Sequence, residues 1–214
     1  YIQNLISPFL YLNVLFIRLV STYCETSFEE KQKDDLQQIG TQVEKWRKGT
    51  KLKGLSEPLI RFYLISAEAE LMGRNRDRIA YRKELIEIKG DVEKFTPSTD
   101  QEGIQQKRLL SIIIQSLAID YSFETKIDKK TESLIEELFS KSEELKKEVN
   151  DLQGLAINMG SRGSYHLFTT KKISIARNFL SRDLELCEQM GSRGDMSAIY
   201  NKLSMCDWID ANEC

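Results

Sequence analysis

The chain has 214 residues, with 31 basic and 33 acidic side chains and a formal charge of −2. That balance gives no whole-molecule attraction to nucleic acid or to an anionic membrane. At 41% hydrophobic and 30% charged residues the composition is foldable rather than disordered, and 3 Pro with 11 Gly are too few for a sandwich or barrel, which needs turn residues roughly every 8–12 positions.

The opening segment, YIQNLISPFLYLNVLFIRLV, is strongly apolar. Asn4, Ser7, Pro8, Asn13 and Arg18 break it below the run of about 18 residues that a membrane span requires. It also lacks the basic leader and small-residue cleavage site of a signal peptide. A helix apolar on nearly every side is normally buried. The expectation is an internal helix packed against another part of a larger protein, and a first residue of Tyr1 rather than Met points the same way.

The three prolines mark helix starts, because a first-turn proline lacks only an N–H that would be unsatisfied there. They are Pro8 after Ser7, Pro58 after Ser56-Glu57, and Pro97 in a loop before the next helix. Ser27-Phe28-Glu29-Glu30, Ser98-x-x-Gln101 and Asn150-x-x-Gln153 fit capping boxes. Gly49, Gly54, Gly73 and the Gly191/Gly194 pair supply stops. These signals predict nine helices, near 8–24, 28–48, 57–73, 76–95, 100–122, 127–149, 151–169, 172–190 and 195–211. On the sixth, Leu134, Leu138, Leu145 and Val149 recur at helical spacing, with Glu137/Lys141 and Glu143/Lys147 as i,i+4 pairs on the wet side.

Small residues occur at matching places in alternate helices: Thr22, Ala69, Ser116, Gly160 and Ser204, spaced 47, 47, 44 and 44. Ala156-Ile157-Asn158-Met159-Gly160 parallels Ile199-Tyr200-Asn201-Lys202-Leu203-Ser204. A small side chain at such a position lets the partner helix of a hairpin approach closely. A period near 45 is two helices of about 20 residues plus turns, the signature of an all-α, right-handed α-solenoid, here of about four and a half antiparallel hairpins filling residues 1–214 as a single domain.

The stretch KKISIARNFLSRDLELCEQMGSRGDMSAIYNKLS resembles a tetratricopeptide (TPR) repeat junction. The residues that carry the resemblance are Ala176, Phe179/Leu180, the turn Met190-Gly191-Ser192-Arg193-Gly194, and Ala198-x-Tyr200-x-x-Leu203-Ser204. It is clearest over residues 150–210. The family's usual period is about 34 residues, so the chain is similar to the long-helix variants of bacterial signalling proteins, including the sensor arms of STAND-type NTPases. The resemblance implies a concave groove, formed by the first helix of each hairpin, where a protein or peptide docks. Polar residues on those helices are then the binding candidates: Asn158, Arg162, Tyr165, Asn201 and Lys202. The implied function is a non-enzymatic scaffold, the recognition or sensor part of a larger cytoplasmic signalling or defence protein with an attached NTPase or effector domain.

Other features point less far. The basic residues of Gly73-Arg74-Asn75-Arg76-Asp77-Arg78, with Arg82 and Lys83, and the run Lys45, Arg47, Lys48, Lys51, Lys53 fall in turns. In an up-down array those turns lie at opposite edges, about 30 Å apart for 20-residue helices. A compact helical domain contacting nucleic acid through basic turns is the alternative reading, and it requires the two runs to share one surface. Gly160-Ser161-Arg162-Gly163-Ser164 lacks the GxxxxGK[ST] pattern of a phosphate loop and reads as close helix packing or a kink. His166, the one histidine, has no nucleophile or orienting acid nearby in sequence and reads as a surface or half-buried residue. Glu136/Glu137 and Asp34/Asp35 diverge around a helix and make no carboxylate dyad. Cys24, Cys187, Cys206 and Cys214 form no CxxC pair, and no cofactor or metal motif is present.

Overall fold

In the computed structural model, which describes residues 54–72 and 77–212, every regular element is helical and no strand occurs among the described residues. The expected helices near 8–24 and 28–48, the basic run at 45–53, residues 73–76, Cys24 and Cys214 lie outside them. The chain divides between Phe95 and Thr96 into two compact units.

In the first unit α1 (Ser56–Met72) packs against α2 (Arg78–Lys94). Pro58 stands in the first turn of α1, and the Asp77 carboxylate caps α2 by accepting the N–H groups of Ile79 and Ala80, both at 3.0 Å. Leu85, Ile88 and Val92 form the buried stripe of α2. Arg61 of α1 ties the pair together through Glu84 at 2.7 Å and Asp91 at 2.8 Å.

The second unit contains α3 (Asp100–Ser122), α4 (Lys129–Glu148), α5 (Leu152–Tyr165), a π turn (His166–Thr170), α6 (Ile173–Met190) and α7 (Arg193–Asn212). Successive helices pack on each other, most extensively α3 with α4 and α5 with α6, and α3 also touches α5. One core joins α3, α4 and α5 through Ala118, Ile135, Phe139 and Tyr165. A second joins α5, the π turn, α6 and α7 through Ala156, Leu167, Ile173, Ala176, Leu180, Cys187, Ile199 and Cys206.

The helix positions follow the start and stop signals, with shifts of one residue in two caps. The N-cap of α3 is Thr99, whose hydroxyl accepts from Glu102 N–H while Glu102 reaches back to Ser98 N–H at 2.6 Å. The N-cap of α5 is Asp151, bonded to Gly154 N–H at 2.9 Å, because Asn150 takes a left-handed turn conformation with φ 52°. The buried stripe of α4 also differs from expectation. It runs through Ile135, Phe139, Ser142, Leu145, Lys146 and Val149, and Leu134 is exposed. Ser142 and Lys146 are interior despite their polarity, so the hydropathy pattern pointed one residue aside. The Glu143–Lys147 pair forms at 2.6 Å, with Glu143 buried rather than on the wet side, and Lys141 pairs with Glu144 at 3.4 Å.

The pentapeptide Met-Gly-Ser-Arg-Gly occurs twice with two structures. At 190–194 it is a turn: Gly191 at φ +70° ends α6, and Ser192 N–H bonds to Cys187 C=O at 2.9 Å, a glycine C-cap. At 159–163 it is helical, and its glycines face α6. A Cβ on Gly163 would lie 2.8 Å from Leu180 Cγ, and one on Gly160 would overlap Asp183 Oδ2. The glycine-rich stretch therefore gives close packing between the hairpin helices, as its composition suggested.

Candidate binding groove

The α5 helix and the π turn after it organise the candidate site. A groove of about 400 Å³ opens on one side of them. Its apolar lining is Ile119 and Phe123 from the end of α3, Ile157 of α5 and Phe168 of the π turn, and its polar lining includes Ser161, Ser164, Thr169 and Lys202 of α7. Lys202 is the one charged residue there. Ile157 keeps 55% of its surface and Phe168 47%, so the apolar wall is open to a ligand.

Behind the groove lies a polar interior. Arg162 donates from Nε to Glu136 Oε2 at 2.9 Å and also through its terminal nitrogen, and its guanidinium stands 4.3 Å from the Phe179 ring centre. Arg162 is 3.6 Å from Glu143, which further binds Lys147 at 2.6 Å and Arg182 at 3.2 Å. Burial would raise both carboxyls. For Glu136 the close approach of His166 and the hydrogen bonds and charge of Arg162 outweigh it, and for Glu143 the hydrogen bonds and charges of Lys147 and Arg182 do, so both stay below the ordinary glutamate value. His166 Nε2 lies 2.9 Å from Glu136 Oε1. The contact lacks hydrogen-bond geometry, and neither atom has a hydrogen-bond partner.

A second chain runs from Lys146, whose Nζ bonds Gln115 Oε1 and Ser142 Oγ, the latter at 2.9 Å. Gln115 in turn donates to Ser161 Oγ at 3.2 Å, at the groove surface. On α6, Asp183 accepts from Cys187 Sγ at 3.6 Å. Burial pushes the Asp183 carboxyl up to about 6 and the Cys187 thiol up to about 11, the latter helped by the Asp183 charge. Cys187 and Cys206 are buried free thiols, and a raised thiol is a poor nucleophile.

The five sequence candidates separate. Tyr165 and Lys202 line the groove. Asn201 is exposed on α7. Asn158 is fully buried and donates to Phe139 C=O at 3.2 Å, so it belongs to the packing between α4 and α5. Arg162 is engaged by the interior carboxylates. Tyr165 is almost wholly buried, and burial with the charges of Glu132 and Glu136 pushes its phenol up to about 12.

His166 also departs from the reading as a surface or half-buried residue. It is buried against an acid that lies 30 positions earlier in the chain, Glu136, and no local pattern signals that contact. Thr170 Oγ1 lies 3.2 Å from one imidazole nitrogen of His166, and Glu136 Oε1 lies 2.9 Å from the other without hydrogen-bond geometry. The imidazole is stacked on Phe179, with ring centres 5.7 Å apart, and stands behind the groove rather than in its lining. The groove itself can bury apolar side chains and offer hydroxyls and one ammonium.

Compared with known proteins, the chain matches no family model, no curated protein and no solved structure. No described helix is long and apolar enough to cross a membrane. Among the described residues no group of three or more His, Cys, Asp or Glu is placed to hold a metal ion.

Proposed function

We propose that the chain is a non-enzymatic helical-repeat scaffold of tetratricopeptide type, a recognition or sensor part of a larger intracellular signalling or defence protein, which docks a protein or peptide. The observation that carries this reading is the groove between α3, α5 and α7. These are alternate helices, each the first of a pair in the hairpin scheme, and the groove they line is apolar with a hydroxyl fringe and a single cation. A site of about 400 Å³ lies toward the small end of ligand pockets, the size for one or two anchoring side chains of a peptide. Burying one such aliphatic or aromatic anchor is worth about 1.5–3 kcal/mol, and the hydroxyls and Lys202 add direction. Recognition here is shape and polar complementarity, with no bond made or broken. The buried free thiols Cys187 and Cys206 suit a reducing compartment.

The test is selection of peptide ligands from a random display library on the full chain, followed by titration against variants. Ile157→Asp and Lys202→Glu are expected to weaken the selected peptides tenfold or more while the helical circular dichroism is unchanged. Ile175→Asp, at an exposed position on α6, is expected to leave them intact. Equal binding to all three variants would refute the assignment of the groove.

A further inference from the structure

The serine hydroxyls of the groove are already committed as donors. Ser122 Oγ donates to Ile119 C=O, Ser161 Oγ to Ile157 C=O and Ser164 Oγ to Gly160 C=O, each at 2.7 Å. Each serine thus gives its one hydrogen to its own helix and keeps only acceptor lone pairs. Ser161 also accepts from Gln115, at 3.2 Å, and Ser122 is buried. Ser164 is half-buried and accepts from no described residue. Two other hydroxyls line the groove: that of Tyr165 is shut off from solvent, and that of Thr169 stands on an exposed residue of the π turn.

Ser164 lies between apolar positions. Ile157, Ser161 and Ser164 follow at i, i+4 and i+7 on one face of α5, and Phe168 of the π turn comes four residues later. All four line the groove, with Ile119 and Phe123 of α3. A side chain that fills this space must be apolar over most of its surface, and it must bring a hydrogen rather than an acceptor to Ser164. The indole of tryptophan combines a large apolar area with a polar atom that only donates. Phenylalanine brings no donor, and the hydroxyl of tyrosine carries an acceptor that needs a donor of its own.

Charge supplies the second requirement. Lys202 is the one charged residue of the lining, and among the described residues it has no ion-pair partner. Asp183, buried on α6, feels its charge without pairing with it. The complement on this side is an anion. The chain's own Trp208 is 69% exposed, but its neighbours Asp207 and Asp210 are both held by Arg177, so a second copy offers the indole without a free carboxylate.

We infer that the occupant of the groove is a peptide segment of a partner protein that inserts a tryptophan beside Ser164 and sets a carboxylate against Lys202. The assignment rests on the docking reading above and names the chemistry that the groove selects.

The probes are capped Gly/Ala heptapeptides with a central Trp and one Glu at each other position in turn, titrated into the isotopically labelled full chain at low salt. Binding is read from the backbone amides of Ser164 and Phe168. At least one peptide of the set is expected to bind. Replacing its Trp by Phe or Tyr is expected to weaken it about threefold to tenfold, the worth of one hydrogen bond. In Ser164→Ala the Trp and Phe peptides are expected to bind alike. Replacing Glu by Gln costs about twofold to fivefold, and in Lys202→Met that difference is expected to vanish. A Phe or Tyr peptide that binds as tightly as its Trp counterpart overturns the inference, as does a Trp preference that survives in Ser164→Ala or a Glu preference that survives in Lys202→Met. The docking reading outlives these results if Ile157→Asp still weakens the peptides. Failure of the whole set to bind also overturns the inference, and the display selection then decides the docking reading separately. Shifts of the Ser164 amide that grow with the concentration of the chain alone, and are lost in Trp208→Ala, would give the groove to a second copy and overturn the assignment to a partner.

Discussion

Lys146 provides the sharpest test of the polar interior. Only 1% of the residue is exposed, and its Nζ meets Gln115 and Ser142 rather than a carboxylate. Burial lowers its pKa to about 8 from an ordinary 10.5, with partial compensation from Asp151. The unfolded chain therefore holds this proton more tightly than the native chain. Below pH 8 both states are protonated, and the native state carries the full cost of a buried cation. Between pH 8 and pH 10.5 the native lysine has released a proton that the unfolded one keeps, so stability rises with pH through that window. The difference between the two values corresponds to about 3 kcal/mol. Lys146→Met keeps the length of the side chain and removes the charge, but it leaves Gln115 Oε1 without its donor at a cost of about 1–3 kcal/mol. At pH 7 the two terms nearly cancel. From pH 8 to pH 10 the native chain is expected to gain on the variant by about 2–3 kcal/mol, read from urea denaturation followed by circular dichroism. All other titrating groups are common to both proteins and drop out of the difference. Parallel stability curves, within about 1 kcal/mol across the range, would show that Lys146 is solvated and that the buried network is wrongly drawn.

Three further outcomes follow, two of them from the α5–α6 contact. Gly163→Ala places a Cβ 2.8 Å from Leu180 Cγ and 3.3 Å from its backbone nitrogen, and is expected to lower stability by about 1–3 kcal/mol. Gly194→Ala meets nothing within 4 Å and is expected to leave the urea midpoint unchanged or raise it. Asp183 behaves oppositely to Lys146. Its carboxyl is raised to about 6 from 3.8, so its contribution is full below about pH 3.8 and is lost as pH rises through 6, up to about 3 kcal/mol. Asp183→Asn is expected to gain on the native chain between pH 4 and pH 7 in the same denaturation assay. A constant difference across that interval would place Asp183 in solvent.

Helix positions were legible because caps and breakers act locally. The bounds of α3 agree with the expected 100–122, and the cap shifts at Thr99 and Asp151 arise where two adjacent residues are both competent to cap and the backbone chooses. The glycines at 160 and 163 were also readable as packing residues, since a small side chain in mid-helix has few other uses. The faces of α4 and α5 were not legible. Equating polarity with exposure puts Leu134 inside and Asn158 outside, whereas Leu134 is 37% exposed and Asn158 is wholly buried. The Glu136–His166 contact joins positions 30 apart and has no local periodicity to announce it.

The polarity of α5 has a structural explanation that changes where ligand chemistry should be sought. Three of its groove-lining positions are each backed by a titratable group. Asp183 faces Gly160, the Lys146–Gln115 chain ends on Ser161, and Glu136 and Glu132 act on Tyr165. Arg162 and Asn158 point into the same interior. The polar atoms of the helix are thus largely consumed in fixing α5 against α3, α4 and α6, where hydrogen bonds are directional and set a register that apolar packing alone sets less firmly. What remains for a partner is the complement: aliphatic and aromatic surface from Ile119, Phe123, Ile157 and Phe168, hydroxyls, and one ammonium at Lys202. Selectivity in such a groove comes from which apolar side chain fits and from what meets Lys202. Substitutions in the buried carboxylates act on it from behind, by moving α5 and the π turn rather than by touching a ligand.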